Sequence, residues 1–158
     1  MPVSVEIPGR GLLNLEHIIL DFNGTMAVDG QLIPGVEDKL NRLAGLLNVH
    51  VLTADTFGTG REACRLIKCQ VHVLPDNDRG GVAKEKFVSE LGAEKVVAVG
   101  NGMNDVLMLK KAALGIVVLG REGTAAAALA AADVVVTDIN HGLEMLLHPL
   151  RLKATLRT

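Results

Sequence analysis

Six short apolar runs, most of them rich in β-branched residues, recur along this 158-residue chain at positions 17–21, 49–53, 71–74, 95–99, 114–119 and 134–136. Each precedes a stretch that reads as helix, which predicts helices over 34–47, 58–69, 83–91, 104–113, 123–132 and 140–147. Strands that alternate with helices in this way form a parallel sheet with helices on both faces. Runs that are apolar throughout fit strands buried on both sides. The expected fold is α/β: a three-layer, doubly wound, Rossmann-like parallel sheet. The length suits one core, and no linker, repeat or low-complexity segment interrupts it, so a single domain over 1–158 is expected.

Two hairpins are expected beside that sheet. Residues 3–7 alternate, 8–11 turn and 12–15 run apolar, which reads as an N-terminal hairpin at a sheet edge. Asp29-Gly30 is a strong hairpin turn. Flanked by Met26-Ala27-Val28 and Gln31-Leu32-Ile33, it predicts a small β flap just beyond Asp21, with no room for a cap domain. The helix over 34–47 puts Val36, Leu40, Leu43 and Leu47 on one face, and Asn48 closes it. Pro149 stops the last helix. No element is expected in the basic tail, whose Arg151, Lys153 and Arg157 are solvated or reach an anionic substrate or a neighbouring subunit.

Composition excludes several classes. The net charge of −2 leaves no electrostatic footprint for nucleic acid, and Phe22, Phe57 and Phe87 are too few aromatics for a base-stacking platform. No apolar stretch reaches the ~18 residues of a membrane span. Residues 1–9 lack the basic region and apolar core of a signal peptide. Cys64 and Cys69 have neither a metal-knuckle nor a redox Cys-x-x-Cys spacing and read as reduced thiols on a helix, as in a cytoplasmic protein.

Polar residues gather just past the strands: Asp21 and Asn23, Thr53 and Asp55, then Asn101, Asn104 and Asp105. In open α/β sheets, ligands bind at the carboxyl ends of the strands. Asp21 is a candidate nucleophile there, or a carboxylate that caps a turn. Gly24 lets the backbone approach an anion. Thr53 either donates to a phosphoryl oxygen or caps the next turn. Lys84, near a helix start where a cation opposes the helix dipole, suggests an anionic neighbour, with Lys86 as its competitor. Asn101 and Asp105 surround a Gly-rich turn suited to holding Mg²⁺ through oxygen, or to ordinary N-capping.

In this order the motifs resemble the haloacid-dehalogenase (HAD) superfamily of aspartyl-nucleophile phosphohydrolases, and most of all the phosphorylation domain of P-type ATPases. Asp21-Phe22-Asn23-Gly24-Thr25 is similar to Asp-Lys-Thr-Gly-Thr, and Thr53-Ala54-Asp55 to Thr-Gly-Asp. Gly100-Asn101-Gly102-Met103-Asn104-Asp105 is similar to Gly-Asp-Gly-x-Asn-Asp. Lys84 stands four residues before Val88, as the family's lysine stands before its Val-x-x-Leu pair. The likeness continues through 112–116, 120–124 and 131–135 and covers roughly 18–147.

The resemblance implies a Mg²⁺-dependent phosphatase that forms an aspartyl phosphate on Asp21. It implies catalytic roles for Asp21, Asn23, Thr53 and Lys84, phosphate binding by Gly24, Thr53, Ala54 and Lys84, and metal binding by Asp21, Asn23 (through its carbonyl), Asn101 and Asp105. Two departures imply a slow enzyme. Most of the family's phosphatases have a proton-transferring Asp where Asn23 stands, and a metal-binding Asp where Asn101 stands. The partners implied are a phosphorylated small molecule or a phosphoprotein. An uncapped site goes with a large substrate or with a second subunit that supplies a wall. A homo-oligomer is therefore expected, with flap residues Met26, Val28, Leu32 and Ile33 either at its interface or folded back on their own sheet. Two alternatives stand: a capless sugar-phosphate phosphatase of the 3-deoxy-manno-octulosonate 8-phosphate type, and a weakened module that binds a phosphorylated ligand or a protein partner. Ion pumping is not implied, because the spans and domains of a pump are absent from this sequence.

Overall fold

A computed structural model describes residues 2–55, 58–74 and 79–158. Its main sheet has the order β10-β9-β8-β3-β6-β7. These strands are β3 (His17–Asp21), β6 (Asn48–Thr53), β7 (Gln70–Val73), β8 (Val96–Gly100), β9 (Leu114–Val118) and β10 (Val134–Val136). Every pairing is parallel. The chain winds outward from β3 to β7, then returns to the other side of β3 for β8. The winding direction therefore reverses between β3 and β8, the kind of crevice where open sheets take ligands.

Strand periodicity divides the core into two layers. Ile18, Leu20, Val49, Val51, Val97, Val99 and Ile116 point to one face, beneath α1 (Val36–Leu43), α6 (Ile139–Leu147) and α7 (Leu150–Leu156). Ile19, Leu52, Val96, Ala98 and Val117 point to the other, beneath α3 (Gly80–Leu91), α4 (Val106–Lys111) and α5 (Ala126–Ala131). This is the three-layer architecture expected from the sequence. No helix among the described residues is long and apolar enough to cross a membrane.

Several local expectations are corrected. The hairpin of β1 (Val3–Ile7) and β2 (Gly11–Leu15) is a separate two-stranded ribbon, not an edge of the main sheet. It turns into β3 through Glu16, and Arg10 at its turn bonds the Ala113 carbonyl at 3.0 Å and pairs with Asp133 at 3.1 Å. Those residues precede β9 and β10, so the ribbon runs along the amino ends of the strands. Val3, Val5, Ile7, Leu13 and Leu15 face the core, which accounts for their alternation without an edge position.

The basic tail folds as α7, which packs on β1; Leu152 is buried, Arg151 pairs with Glu144 at 3.5 Å, and the Thr158 N–H donates to the Pro8 carbonyl. The tail therefore lies at the amino ends of the strands, opposite Asp21. Helix α1 stops at Leu43. Gly45 and Leu46 then tighten the chain with i→i−3 bonds to Arg42 and Leu43, which still deliver Leu47 to the core. Helix α2 (Thr59–Ala63) is short. Cys64 ends it and Cys69 lies in the following turn, both as free thiols, so they do not share a helix. That turn is held by Asn41, which donates to the Leu66 carbonyl at 2.9 Å and accepts the Lys68 N–H at 2.8 Å. Helix α3 begins at Gly80, three residues earlier than expected, and a 3₁₀ turn at Met103–Asp105 opens the segment read as one helix over 104–113. Residues 76–78 of the polar loop read at 76–81, and Phe57, lie outside the described residues.

The flap forms as the sequence predicts. Strands β4 (Ala27–Val28) and β5 (Gln31–Leu32) pair across Asp29 and Gly30, whose φ angles of 51° and 78° are those of the tight hairpin turn. Met26 is buried, and Leu32 and Ile33 pack partly on the core, so the chain's own core accounts for these apolar flap residues.

One feature escaped the sequence reading. His17, His50 and His72 form a diagonal row across β3, β6 and β7. His50 Nε2 lies 3.4 Å from His17 Nδ1, and His50 Nδ1 lies 3.3 Å from His72 Nε2. Phe87 of α3 packs on His50 and His72 at ring-centre distances of 5.4 and 4.6 Å. Burial, with His72 and His17 as neighbours, lowers the His50 pKa to about 4.

Candidate active site

The site is built on the turn that follows β3. The Phe22 carbonyl accepts the N–H groups of Thr25, Met26 and Ala27 at 3.3, 3.0 and 3.2 Å. Buried Phe22 and Met26 anchor this fold-back. Gly24 has φ 78°, and a Cβ there would collide with the Asn101 side-chain amide. The turn therefore needs glycine for its conformation and for the close approach of Asn101.

The parallel register assembles the rest. Asp21 pairs with Leu52, so Thr53 stands one residue beyond. Leu20 pairs with Val99, so Gly100 and Asn101 leave the sheet beside Asp21. Lys84 arrives from α3 across the top of the sheet. Its ammonium donates to Asp21 Oδ1 at 2.9 Å and to Asp105 Oδ1 at 2.8 Å, and it is 3% exposed. Lys86 points outward and pairs with Glu90 at 3.9 Å. Of the two candidate lysines, the structure brings Lys84 alone to Asp21.

Electrostatics distinguish the members of this cluster. Burial, then the nearby Asp105 charge, raises the Asp21 pKa to about 6 against the opposing pull of Lys84. Burial alone would lower the Lys84 pKa, but the Asp21 and Asp105 carboxylates together raise it. Lys84 is thus a fixed cation, and Asp21 is ionised above about pH 6. Asp105 Oδ2 accepts the Asn101 and Gly102 N–H groups at 2.9 and 3.0 Å. Asp105 therefore holds Lys84 with one oxygen and shapes the Gly-rich turn with the other.

Asn101 turns its amide oxygen inward, 3.1 Å from the Thr25 hydroxyl, and its nitrogen outward, 3.1 Å from the Gly123 carbonyl. The same Thr25 hydroxyl lies 3.4 Å from Asp21 Oδ2. Thr25 is fully buried and links Asp21 to Asn101; the sequence shows it within the first motif but gives no sign of the link. Thr53 is buried, and its oxygen accepts the Asp55 N–H at 3.1 Å, a bond that does not use its own hydroxyl hydrogen. Gly60 packs on the Thr53 side chain and donates its N–H to Asp55 at 3.2 Å. Ala54 and Asn23, next to Thr53 and Asp21 in the chain, are exposed. A cavity of about 870 Å³ lies elsewhere, between the flap and the ends of β9 and β10, and Asp21 and Lys84 do not line it.

Among the described residues, no group of three His, Cys, Asp or Glu side chains is placed to hold a metal ion. The oxygens here are two carboxylates, one amide and the backbone of the Asn23 turn. Mg²⁺ is commonly held by one or two carboxylates together with waters and substrate phosphate, so this all-oxygen set fits it.

No family model matches the chain. The chain is 49% identical over 80 residues to the uncharacterized protein MJ0073 of Methanocaldococcus jannaschii, covering 48% of this chain and 86% of that protein. Among solved structures, it is similar to the 3-deoxy-D-manno-octulosonate 8-phosphate phosphatase of Moraxella catarrhalis, seen with magnesium, phosphate and the sugar acid. The TM-score is 0.66 and the identity 17%, over 89% of this chain and 90% of that one. It is also similar to part of a zinc-transporting PIB-type ATPase, with TM-score 0.61 and 25% identity over 79% of this chain and 20% of the pump.

Proposed function

We propose a reaction for a chain that belongs to one family with MJ0073 and has the haloacid-dehalogenase fold: hydrolysis of a phosphate monoester through a phosphoryl group carried on Asp21. One observation carries this reading. A buried lysine is shared between a carboxylate at the end of the central strand and a second carboxylate behind it. An ionised Asp21 oxygen attacks phosphorus in line, the ester P–O bond breaks, and the leaving alkoxide takes a proton from water. Water then attacks the acyl phosphate, releasing phosphate and restoring Asp21. Lys84 balances charge on the phosphoryl oxygens. The Thr53 hydroxyl and the N–H groups of the Asp21 and Thr53 turns, Gly24 and Ala54 among them, are the candidate donors to those oxygens. The Asn23 amide cannot exchange a proton at neutral pH, so both half-reactions lack the usual acid and base.

Asp21, the Asn23 carbonyl, Asn101 and Asp105 would hold Mg²⁺. The bound cation would add positive charge against the developing phosphoryl charge. The substrate class is a phosphomonoester, with sugar phosphates first in line by likeness to the M. catarrhalis enzyme.

The test is phosphate release from p-nitrophenyl phosphate and a panel of sugar phosphates, with and without Mg²⁺. Asp21→Asn should lose at least about 10³-fold in rate; wild-type activity in that variant would refute the nucleophile. The amide at position 23 also favours a second reading, a module that binds a phosphorylated ligand without turning it over. Beryllium fluoride should be trapped at Asp21 with Mg²⁺ in the enzyme, and its failure to bind would support the module.

A further inference from the structure

The segment between β9 and α5 touches the site at several points, although the phosphoryl chemistry assigns it no part. Gly120 packs under the Gly24 carbonyl, where a Cβ would lie 3.2 Å away. The Glu122 carboxylate accepts the Asp29 N–H of the flap turn at 3.1 Å. The Gly123 carbonyl accepts the Asn101 side-chain N–H at 3.1 Å, and the Ala125 N–H donates to the Asn101 carbonyl at 2.9 Å. Thr124 fastens the segment to the sheet through the Val118 carbonyl at 2.7 Å.

A backbone carbonyl can only accept hydrogen bonds. The Gly123 carbonyl therefore decides which end of the Asn101 amide faces it. The nitrogen must turn outward, and the oxygen is left to face the Thr25 hydroxyl. A carboxylate at position 101 would set oxygen against oxygen at this contact. Asparagine here is thus matched to its neighbour.

We propose that residues 119–125 form a positioning strap, in which the Gly123 carbonyl orients the Asn101 oxygen toward the Thr25 hydroxyl beside Asp21 and Glu122 couples that orientation to the flap tip. The proposal rests on the reading of Asp21 and Asn101 as one site. Glu122 is a positioning residue, acting through Gly123 and Asp29.

The test compares Glu122→Ala with Glu122→Gln, whose amide oxygen can still accept the Asp29 N–H. The readouts are solvent exchange of the Asn101 side-chain amide protons by NMR, in metal-free protein, and Mg²⁺ affinity by calorimetry. Glu122→Ala should speed Asn101 exchange by about threefold or more, and Glu122→Gln should restore it. Unchanged exchange in Glu122→Ala, or exchange equally fast in both variants, overturns the strap. Where Mg²⁺ binds, its affinity should fall about threefold in Glu122→Ala alone; an unchanged affinity also overturns the strap. A wild-type protein that binds no Mg²⁺, yet shows Glu122-dependent exchange, overturns the metal assignment and supports the strap.

Discussion

Two polar clusters lie on the same sheet under the same helix, and they are built on opposite principles. Lys84 and Phe87, one turn apart on α3, reach one cluster each. At the carboxyl ends, Lys84 meets Asp21 and Asp105, and every member carries or can carry charge. Lower on the sheet, Phe87 packs on His50 and His72 of the row His17, His50 and His72, in which the His50 ring nitrogens face the other two rings. Burial raises the Asp21 pKa and lowers that of His50. In both cases it favours the neutral form. Only the first cluster contains a counter-ion that can hold a charge in place. A buried polar group that serves structure can settle its hydrogen bonds while neutral. The nucleophile proposed at Asp21 has to remain ionised, and the neighbouring Lys84 cation makes that possible.

After Asp21→Asn, the largest expected effect is at Lys84. Lys84→Met would leave two buried carboxylates facing each other without a cation, which costs about 3–5 kcal/mol. Urea melts should show that loss at pH 7.5 and a smaller one at pH 5, where protonation removes the repulsion. Equal stability of the variant and wild type at pH 7.5 would mean that the cluster is not held by charge.

Asn23→Asp comes next. It would place a carboxyl able to transfer a proton beside Asp21, and turnover of a phosphate ester should rise about tenfold or more. No gain would place the slow step elsewhere or identify another base.

The smallest effect concerns the neutral cluster. The folded-state pKa of His50, about 4, lies below its ordinary value of 6.5. The unfolded chain therefore binds a proton first as pH falls through 6.5, and folding stability drops between pH 6.5 and 4 by up to about 1.4 kcal/mol per pH unit. His50→Gln should flatten that acid limb by about 1–2 kcal/mol between pH 6.5 and 4.5 in thermal melts. An unchanged slope would remove the histidine row as its source.

Much of this was legible in the residues. The apolar runs and their helical spacers foretold the parallel sheet, because strand burial on both faces leaves a local pattern. Asp29-Gly30 foretold the flap because its turn demands two positive φ angles. The strand-end residues Asp21, Thr53, Asn101 and Asp105 could be singled out because chain order and strand ends locate a rim. Element boundaries were less legible. The ends of α1 and α2 depend on how loops such as the Asn41-held turn settle against neighbours, and the tail revealed α7 only through its docking on β1.

What remained hidden were relations between residues far apart in sequence. Lys84 and Lys86 are equivalent as residue types; the spacing before Val88 pointed to Lys84, but the contacts themselves come from the seating of α3, which turns Lys84 to Asp21 and Lys86 to Glu90. His17, His50 and His72 are isolated in the chain and adjacent only because β3, β6 and β7 pair in a particular register. Glu122 and Asp29 meet across a large separation in sequence. The sequence by itself determined the fold class and which polar residues stand at the strand ends, because periodicity and turn preference are local properties of the chain. Tertiary structure alone decided how Lys84 is seated between Asp21 and Asp105, which way the Asn101 amide faces and that His50 is buried. Those outcomes depend on register, packing and the one-sided chemistry of a carbonyl in contact, none of which a single stretch of residues contains.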